Sequence, residues 1–229
     1  MSGEDPERTG DPAREDRQGP APPLPVRAIA RGMSAAIARA PVLWPVLRRP
    51  TRAFWERTAD RWDQRIRPDS AEHLAPLAAG CDRLEREPGR ILELGTGTGA
   101  GALMLARRFP GAEVRGVDIS EAMVRQAERK APAELEGRVR FEVSDAGSLP
   151  FERGTFDLVC QLNLPLYADE IVRVLAPGGN VLIASSRGPS TPYYTPDRVL
   201  RRRFERHGLE TLPGGRAGDG TYFLARRRQ

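Results

Sequence analysis

Residues 90–102 read R-I-L-E-L-G-T-G-T-G-A-G-A, and this stretch is the strongest indication of the fold in the sequence. A short apolar run, interrupted only by Glu93, predicts a buried strand. The run leads directly into three glycines at alternate positions, Gly95, Gly97 and Gly99. Glycine lets the backbone adopt positive φ and lets a ligand approach where a Cβ would obstruct it. A strand followed by a glycine turn and a helix is typical of a nucleotide-type binding site.

Strand-like apolar runs alternate with helix-like segments from residue 90 onward. Further strands are predicted at 112–117, 138–143, 156–161 and 180–185, and helices at 102–108, 120–131, 169–175 and 195–207. This alternation predicts an α/β fold whose parallel strands are joined by right-handed helical crossovers. The chain then changes character, because 208–212 and 220–225 read as two strands of a hairpin, joined across a Pro-Gly-Gly turn.

The chain before residue 67 predicts a tail and a helical extension. Residues 1–23 carry Pro, Gly and charged side chains with almost no large apolar residue, so we expect a disordered tail. Residues 24–66 are expected to form a helical cap. Within it, 24–47 has the spacing of an amphipathic helix that Pro41 closes, and 51–66 has the spacing of a second helix.

The main domain is expected to span 67–229, and it opens with a helix predicted over 71–87. The basic amphipathic segment before it fits two interpretations. It could contact a membrane surface or a substrate, or it could pack on its own domain.

Composition narrows the function classes. The net charge is +5 and the pI is about 9.8, but nearly all basic residues are arginine and Lys130 is the single lysine. Genome composition can produce this bias, and the charges are mixed, so we do not expect a nucleic-acid partner. Cys81 and Cys160 provide neither a disulfide framework nor metal-ligand spacing, so no metal is expected. With no signal peptide or membrane-length apolar run, the protein is expected to be cytoplasmic.

The glycine motif alone leaves the cofactor open. A G-x-G-x-x-A pattern followed some twenty residues later by Asp118 fits a dinucleotide site, as in an NAD-dependent oxidoreductase. Three further features favour another cofactor: Glu93 two residues before the first glycine, the alternation G-T-G-T-G, and the terminal hairpin.

The sequence resembles the class I S-adenosylmethionine-dependent methyltransferases over about residues 52–226. Four segments carry the resemblance by their order and spacing: E-L-G-T-G-T-G (93–99), G-V-D-I-S (116–120), S-D-A (144–146) and L-A-P-G-G-N-V-L-I (175–183). The resemblance implies a Rossmann-like doubly wound sheet of seven strands, mostly parallel, with an antiparallel strand in the C-terminal hairpin. It also implies S-adenosyl-L-methionine as the cofactor.

The resemblance assigns part of the site to the methionyl and ribose ends of the cofactor. Glu93 would hold the ammonium group and order the loop. The loop backbone would approach the methionyl part and the ribose through Gly95, Thr96, Gly97 and Gly99. Asp118 would accept from both ribose hydroxyls, since a carboxylate has two oxygens. From the residues alone, Glu93 could instead pair with an arginine, and Asp118 could cap a helix.

The remaining assignments concern adenine and the transferred methyl group. By resemblance, Ile119 would lie on the adenine face, Asp145 would accept from the exocyclic amine, and the Ala146 N–H would donate to a ring nitrogen. Asn163 would close the pocket near the methyl group. Asp145 could also belong to an ordinary turn.

The acceptor is less well defined by sequence. Residues 163–167 read N-L-P-L-Y, which departs in two places from the Asn- or Asp-Pro-Pro-aromatic loop of amino-methylating relatives, so a nitrogen acceptor does not follow. Transfer depends chiefly on alignment and on excluding water, and it needs a base only for a weakly nucleophilic acceptor. The candidates for that role are Tyr167, Tyr193, Tyr194 and His207. His73 is expected to be a surface or cap residue, as lone histidines often are.

These observations together predict a methyltransferase that acts on a small molecule by in-line displacement. Short insertions and the lack of an appended nucleic-acid module favour a small acceptor, and three tryptophans before residue 67 favour one with aromatic or lipid-like character. Two alternatives stay open: a non-catalytic homologue that binds the cofactor, and an NAD-dependent oxidoreductase.

Overall fold

The structure is a computed structural model that describes Gly32 and residues 44–229. The predicted tail, and the predicted helical cap before Trp44, lie outside the described residues apart from Gly32. The described helices are α1 (Trp44–Ile66), α2 (Ala71–Cys81), α3 (Ala100–Arg108), α4 (Glu121–Lys130), α5 (Ala168–Val174) and α6 (Asp197–Arg206). The strands are β1 (Arg90–Leu94), β2 (Glu113–Asp118), β3 (Val139–Val143), β4 (Phe156–Leu162), β5 (Leu175–Ser185), β6 (Leu209–Ala217) and β7 (Gly220–Arg227).

The seven strands form one sheet in the order β3-β2-β1-β4-β5-β7-β6. Strands β1 to β5 pair in parallel, and β7 lies antiparallel between β5 and β6. The predicted Rossmann-like, mostly parallel sheet with an antiparallel hairpin strand is therefore confirmed. The strand order reverses between β1 and β4, and sheets of this kind bind ligands beside such a reversal, at the carboxyl edge.

Apolar side chains cover both faces of the sheet. Along β1, Ile91 belongs to a core shared with α2, α3 and α4, whereas Leu92 and Leu94 belong to a core shared with α5 and α6. Because successive side chains of a strand point to opposite faces, Glu93 lies on the same face as Ile91. A strand that is buried on both faces reads as a nearly continuous apolar run, as β1 does.

Two helix boundaries were predicted wrongly. Helix α1 begins at Trp44 and continues through Pro50, so residues 44–50 join the helix predicted over 51–66. A proline removes one backbone donor, but the Thr51 hydroxyl donates to the Leu47 carbonyl at 2.8 Å and keeps a hydrogen bond across that turn. Helix α2 ends at Cys81 instead of residue 87, because the polar segment that follows offers little apolar surface to bury.

The terminal hairpin is present, but its turn was misplaced. Strand β6 continues through the Pro-Gly-Gly segment, where the register against β7 shifts. A Cβ at Gly214 would lie 2.6 Å from the Tyr222 carbonyl oxygen, and one at Gly215 would lie 2.7 Å from the Tyr222 hydroxyl, so these glycines allow close packing in a bulge. The chain reverses instead near Gly218, where φ is +56°. Strand β5 also begins earlier than predicted, and the other elements agree within two residues.

Candidate functional site

A cavity of about 690 Å³ lies at the carboxyl edge of the sheet, beside the reversal of strand order. The loop between β1 and α3 and the residues that follow β2 and β3 form one side. Helix α1, the start of α2 and the loops after β4 and β5 form the other. Apolar and aromatic side chains supply most of the lining surface, and hydroxyl, amide and charged groups lie among them, as in small-molecule sites.

The glycine loop adopts left-handed backbone conformations at all three predicted positions, with φ of +66° at Gly95, +54° at Gly97 and +87° at Gly99. Packing also requires two of them: a Cβ would lie 2.5 Å from Leu164 at Gly95, and 2.9 Å from Phe141 at Gly99. At Gly97 the nearest atom would be 3.9 Å away. The backbone at Gly97 is therefore open to a ligand in the cavity.

Glu93 is buried beneath the first turn of α3 and lines the cavity, with 2% of its surface exposed. Its carboxylate accepts a hydrogen bond from the Thr96 hydroxyl at 2.6 Å. A Cβ at Gly101 would lie 1.8 Å from the same carboxylate, so a glycine is needed where the helix covers the acid. Burial raises the pKa of Glu93 to about 7.

Asp118 ends β2 and connects the glycine loop to the next helix. One carboxylate oxygen accepts from the Gly97 N–H at 2.9 Å and the other accepts from the Ser120 N–H at 2.9 Å. Burial raises the pKa of Asp118 to about 6, against the opposing effect of these N–H donors. Each oxygen can still accept a second hydrogen bond, because a carboxylate offers about four lone-pair positions.

Asp145 lies in a turn directly after β3, where one carboxylate oxygen accepts from the Gly147 N–H at 2.8 Å. The same oxygen accepts from the indole N–H of Trp44, at the start of α1, at 2.6 Å. Ile119 and Ala146 pack against the apolar cluster that Trp44 forms with Tyr167. The structure thus brings the three residues assigned to adenine by resemblance together around a tryptophan.

Asn163 follows β4 and has a positive φ of 58°, a conformation that asparagine tolerates better than most residues. Its side-chain amide donates to the Ser186 hydroxyl and its side-chain carbonyl accepts from the Ser186 N–H, both at 2.9 Å. Its amide nitrogen also lies 3.5 Å from the His73 ring nitrogen Nε2. Asn163 therefore fixes the wall of the cavity where the loops after β4 and β5 meet.

The structure brings two of the four predicted base candidates to the cavity. Tyr167 and Tyr193 line it, and burial raises the pKa of both, to about 12 for Tyr193. Tyr194 lies outside the lining. His207 follows the end of α6 and pairs with Asp169 at 3.0 Å, away from the cavity, because α6 covers the face of the sheet.

His73 lines the cavity, contrary to the expectation of a surface or cap residue. Ser70 caps α2 by accepting from the His73 N–H at 3.2 Å, and this cap puts the imidazole in the first turn of the helix. Burial, assisted by the nearby Arg187, lowers the pKa of His73 to about 4. The ring is therefore neutral near pH 7. The Ser70 cap was visible in the sequence, but the direction of α2 toward the cavity was not.

Polar contacts hold α1 across the glycine loop. Asp63 accepts from the Thr98 hydroxyl at 2.6 Å and pairs with Lys130 of α4, whose ammonium also donates to Thr98 at 3.0 Å. Glu56 accepts from the Glu121 N–H at 2.7 Å at the start of α4. We name Glu56, Asp63, Thr98 and Lys130 the α1 latch. Sequence reasoning missed it, because its members belong to separate elements.

A second cavity of about 630 Å³ lies at the opposite, amino edge of the strands. Its charged side chains are engaged in local structure: Arg226 pairs with Glu85 at 2.5 Å, and Asp157 accepts from the Gly89 and Arg90 N–H groups at 3.0 and 2.8 Å. Ligands of doubly wound folds bind at the carboxyl edge, so we assign the functional site to the first cavity.

Two absences apply only to Gly32 and residues 44–229. No group of three or more His, Cys, Asp or Glu side chains there is arranged to hold a metal ion. No helix in the same part of the chain combines the length and apolar character needed to cross a bilayer.

The fold and the site define a class of protein. The parallel strands reverse their order beside β1, and β7 lies antiparallel in the next-to-last position of the sheet. A glycine loop follows β1, and an acidic residue ends β2 and another follows β3. This is the arrangement of class I methyltransferases. The residues present fit an adenosyl cofactor, because the Gly97 backbone is open and two carboxylates border a cavity of sufficient volume.

Comparison with known proteins shows the family. Residues 91–179 match a family described as a methyltransferase domain. The chain is 34% identical over 183 residues to a ubiquinone/menaquinone biosynthesis C-methyltransferase UbiE of Syntrophotalea carbinolica, covering 76% of this chain and 75% of that relative. The chain belongs to the class I S-adenosylmethionine-dependent methyltransferases, whose cofactor is S-adenosyl-L-methionine.

Further similarities are more local or concern the fold alone. The chain is 49% identical over 108 residues to a demethylmenaquinone methyltransferase of Thermus thermophilus, which covers 44% of the chain and about half, 48%, of the relative. A solved S-adenosylmethionine-dependent methyltransferase from Aquifex aeolicus has a TM-score of 0.59 at 20% identity, over 70% of this chain and 95% of that one. A geranyl diphosphate C-methyltransferase from Streptomyces coelicolor has a TM-score of 0.56 at 18% identity, over 67% and 78%.

Proposed function

We propose that this protein transfers the methyl group of S-adenosyl-L-methionine to a small-molecule acceptor by in-line displacement. The observation that carries the proposal is the joint placement of Glu93, the open Gly97 backbone and Asp118 on one wall of a largely apolar cavity. When bound, the cofactor supplies a methyl group already activated by its sulfonium. The protein's own contribution is alignment of the two reactants and exclusion of water.

Different residues would hold the three parts of the cofactor. Glu93 would face the ammonium group, with the loop backbone of Gly95, Thr96, Gly97 and Gly99 beside the methionyl part. Asp118 would accept from the ribose hydroxyls. Ile119, Asp145 and Ala146 would hold the adenine, and Asn163 would lie near the transferred methyl. Most of these residues line the cavity, and the hydrogen bonds of Glu93 and Asp118 support the assignment. Gly99 and Asp145 lie next to lining residues without belonging to the lining.

The electrostatics of the two acids agree with these roles. Burial raises the pKa of Glu93 and of Asp118, which means that ionisation is costly in the protein without a ligand. A cation next to Glu93 favours its charged form, and hydrogen-bond donors do the same for Asp118. A ligand that carries an ammonium group and vicinal hydroxyls matches both needs.

The acceptor would be a small molecule with an apolar, flat ring. Trp55 and Trp62 line the cavity with ring centroids 5.1 Å apart, and Tyr193 lies 6.5 Å from Trp55. Such surfaces bind aromatic rings through offset or edge contacts. The name of one relative refers to demethylmenaquinone and that of another to ubiquinone and menaquinone biosynthesis, so reduced demethylmenaquinone (demethylmenaquinol) is the first acceptor that we would test.

His73 is placed to orient that acceptor, but its lowered pKa makes it a weak proton acceptor. Its ring is neutral near pH 7 and lines the cavity beside Asn163. Tyr167 and Tyr193 stay protonated at this pH, so they would orient the acceptor by donating hydrogen bonds.

The location of the protein and the exclusion of a nucleic-acid partner are not tested by these observations. The predictions of a cytoplasmic protein and of a partner other than nucleic acid stay predictions.

Binding and transfer experiments test the proposal together. Isothermal titration calorimetry should show binding of S-adenosylhomocysteine and none of NAD. Methyl-labelled cofactor should then label the demethylmenaquinol or a related ring compound. Binding of NAD alone would identify an oxidoreductase instead. Binding of S-adenosylhomocysteine without transfer to any acceptor would identify a non-catalytic homologue.

A further inference from the structure

The first residue of α1, Trp44, is buried against the turn after β3. Only 8% of its surface is exposed, and its indole N–H donates to the Asp145 carboxylate at 2.6 Å. The other oxygen of the same carboxylate lies 4.0 Å from the guanidinium of Arg48, one turn further along α1. The start of α1 therefore makes a polar contact with a residue 101 positions away in the chain.

Apolar contacts surround the indole as well. Trp44 meets Tyr167 edge to face, with ring centroids 5.2 Å apart, and Ile119, Ala146 and Leu164 pack against this pair. A Cβ at Gly147 would lie 2.6 Å from the indole, so the ring rests directly on the turn backbone. The tryptophan thus lies in a slot formed by Tyr167, these apolar side chains and the turn after β3.

The slot has the features that the proposed function assigns to adenine. An adenine ring and an indole are both flat aromatic heterocycles, and both can direct an N–H at a carboxylate. The residues around Trp44 include Ile119, Asp145 and Ala146, the three that would hold the adenine. An indole and an adenine cannot both occupy this slot beside the Asp145 carboxylate, because protein interiors are close-packed.

We propose that Trp44 occupies the adenine subsite when the cofactor is absent and has to leave it when the cofactor binds. This inference rests on the proposed function, since it needs an adenosyl cofactor in the cavity. Trp44 acts as an internal competitor, so the apparent affinity for the cofactor is reduced by the fraction of molecules in which the slot is open.

The structure of α1 allows its first turns to move alone. The α1 latch holds the helix from Glu56 onward against α4 and the glycine loop. Pro50 lies between that part and Trp44 and lacks the N–H that would bond one turn back. Helices bend most readily at such a position. A swing of residues 44–49 would break the hydrogen bond from the Thr51 hydroxyl to the Leu47 carbonyl, but it would leave the contacts of α1 from Glu56 onward in place.

Affinity measurements on the full-length chain test this inference. S-adenosylhomocysteine should bind Trp44→Ala about tenfold more tightly than the wild type, because the variant loses a competing hydrogen bond to a charged group. Trp44→Phe keeps an aromatic ring but no N–H, and its affinity should fall between the two. Val46→Ala is the matched control, since Val46 lies in the same turn and is 74% exposed, and its affinity should equal that of the wild type.

A second readout follows the indole itself. In the Trp55→Phe/Trp62→Phe background Trp44 is the single tryptophan of the chain. Adding S-adenosylhomocysteine should shift its emission to longer wavelength and increase quenching by acrylamide, because the ring moves into water. A shift to shorter wavelength or no change would overturn the inference.

The affinities separate this inference from the proposed function. Equal or weaker binding by Trp44→Ala, with clear binding by the wild type, would overturn the inference alone, since Trp44 would then support the adenine instead of competing with it. Binding by Trp44→Ala and none by the wild type would support both. No binding by any of the proteins would overturn the cofactor assignment together with the inference.

Discussion

At the scale of single residues, the site is built around two carboxylates that are costly to ionise. Glu93 and Asp118 both have a raised pKa because burial removes water from the charged form. Each keeps hydrogen-bond donors from the glycine loop, at Thr96 and Gly97 respectively. The protein thus holds acceptors in place for a ligand, at some expense in its own stability.

The substitution Glu93→Gln tests whether the buried carboxylate of Glu93 lowers the stability of the ligand-free protein. The pKa of Glu93 is raised from 4.5 to about 7, so the folded protein binds the proton more tightly than the unfolded one. Its contribution to the free energy of unfolding is therefore present in full below pH 4.5 and is lost as pH rises through 7. At pH 8 the ligand-free variant should be more stable by up to about 3 kcal/mol, and near pH 4 the gain should vanish. Chemical denaturation at both pH values measures this, and equal stability at pH 8 would contradict it.

Asp118→Ala tests the proposed ribose contact. The variant should bind S-adenosylhomocysteine more weakly by about 2 kcal/mol, roughly 30-fold, the scale of a hydrogen bond to a charged group. Calorimetry measures the change, and Glu85→Gln, exposed at the opposite edge of the sheet, serves as the control. An unchanged affinity in Asp118→Ala would remove this residue from the cofactor site.

At the scale of elements, α1 is the part of the structure that completes the cavity. One side of the helix carries the acids Glu56 and Asp63, which contact α4 and the glycine loop. Another side carries Trp55 and Trp62, which line the cavity. The helix therefore links the position of the aromatic wall to the loop that would hold the cofactor.

Lys130→Met tests the α1 latch. Its ion pair with Asp63 is partly exposed, so global stability should fall by less than about 1 kcal/mol. Hydrogen exchange in α1 around Asp63 should increase, because local opening needs fewer contacts to break. Arg125→Met is the matched control: Arg125 belongs to the same helix and its ion pair is with Glu121 of that helix. Equal exchange in the two variants would show that the latch does not hold α1.

The elements also show which features of the fold and the site can be predicted from the sequence, and why other features cannot. Local sequence patterns predicted the strands of the sheet and the glycine loop. The burial of a strand determines which of its neighbouring residues are apolar, and positive φ favours glycine, so both are visible within a few residues of sequence. The bulge at Gly214 looked like a turn, since its cause is Tyr222 on the next strand. The contact of Trp44 with Asp145 joins residues that no spacing rule relates.

At the scale of the whole molecule, the cavity lies between a sheet shared with known methyltransferases and an N-terminal helix placed across it. The domain match begins at residue 91, whereas Trp44, Trp55 and Trp62 precede it. Under the proposed function, the cofactor side of the cavity comes from the matched domain and the aromatic acceptor side comes from α1.

Deletion of residues 1–50 tests this division. The truncated chain should bind S-adenosylhomocysteine at least as tightly as the full-length chain, because the glycine loop and Asp118 are intact and Trp44 is removed. It should lose transfer because α1 is shortened. Calorimetry and a transfer assay on the same preparation measure the two effects. Full transfer activity would contradict a role of this segment in covering the site. Full-length Trp44→Ala is the comparison that separates loss of the tryptophan from loss of the segment.

Incubation of the full-length protein with methyl-labelled S-adenosyl-L-methionine tests the central claim most directly. The reaction contains demethylmenaquinol or a whole-cell extract, and mass spectrometry identifies the labelled product. The account predicts label in a small ring compound with the wild type and greatly reduced label with Asp118→Ala. Label on protein or nucleic acid, or no transfer at all by a protein that binds S-adenosylhomocysteine, would contradict it.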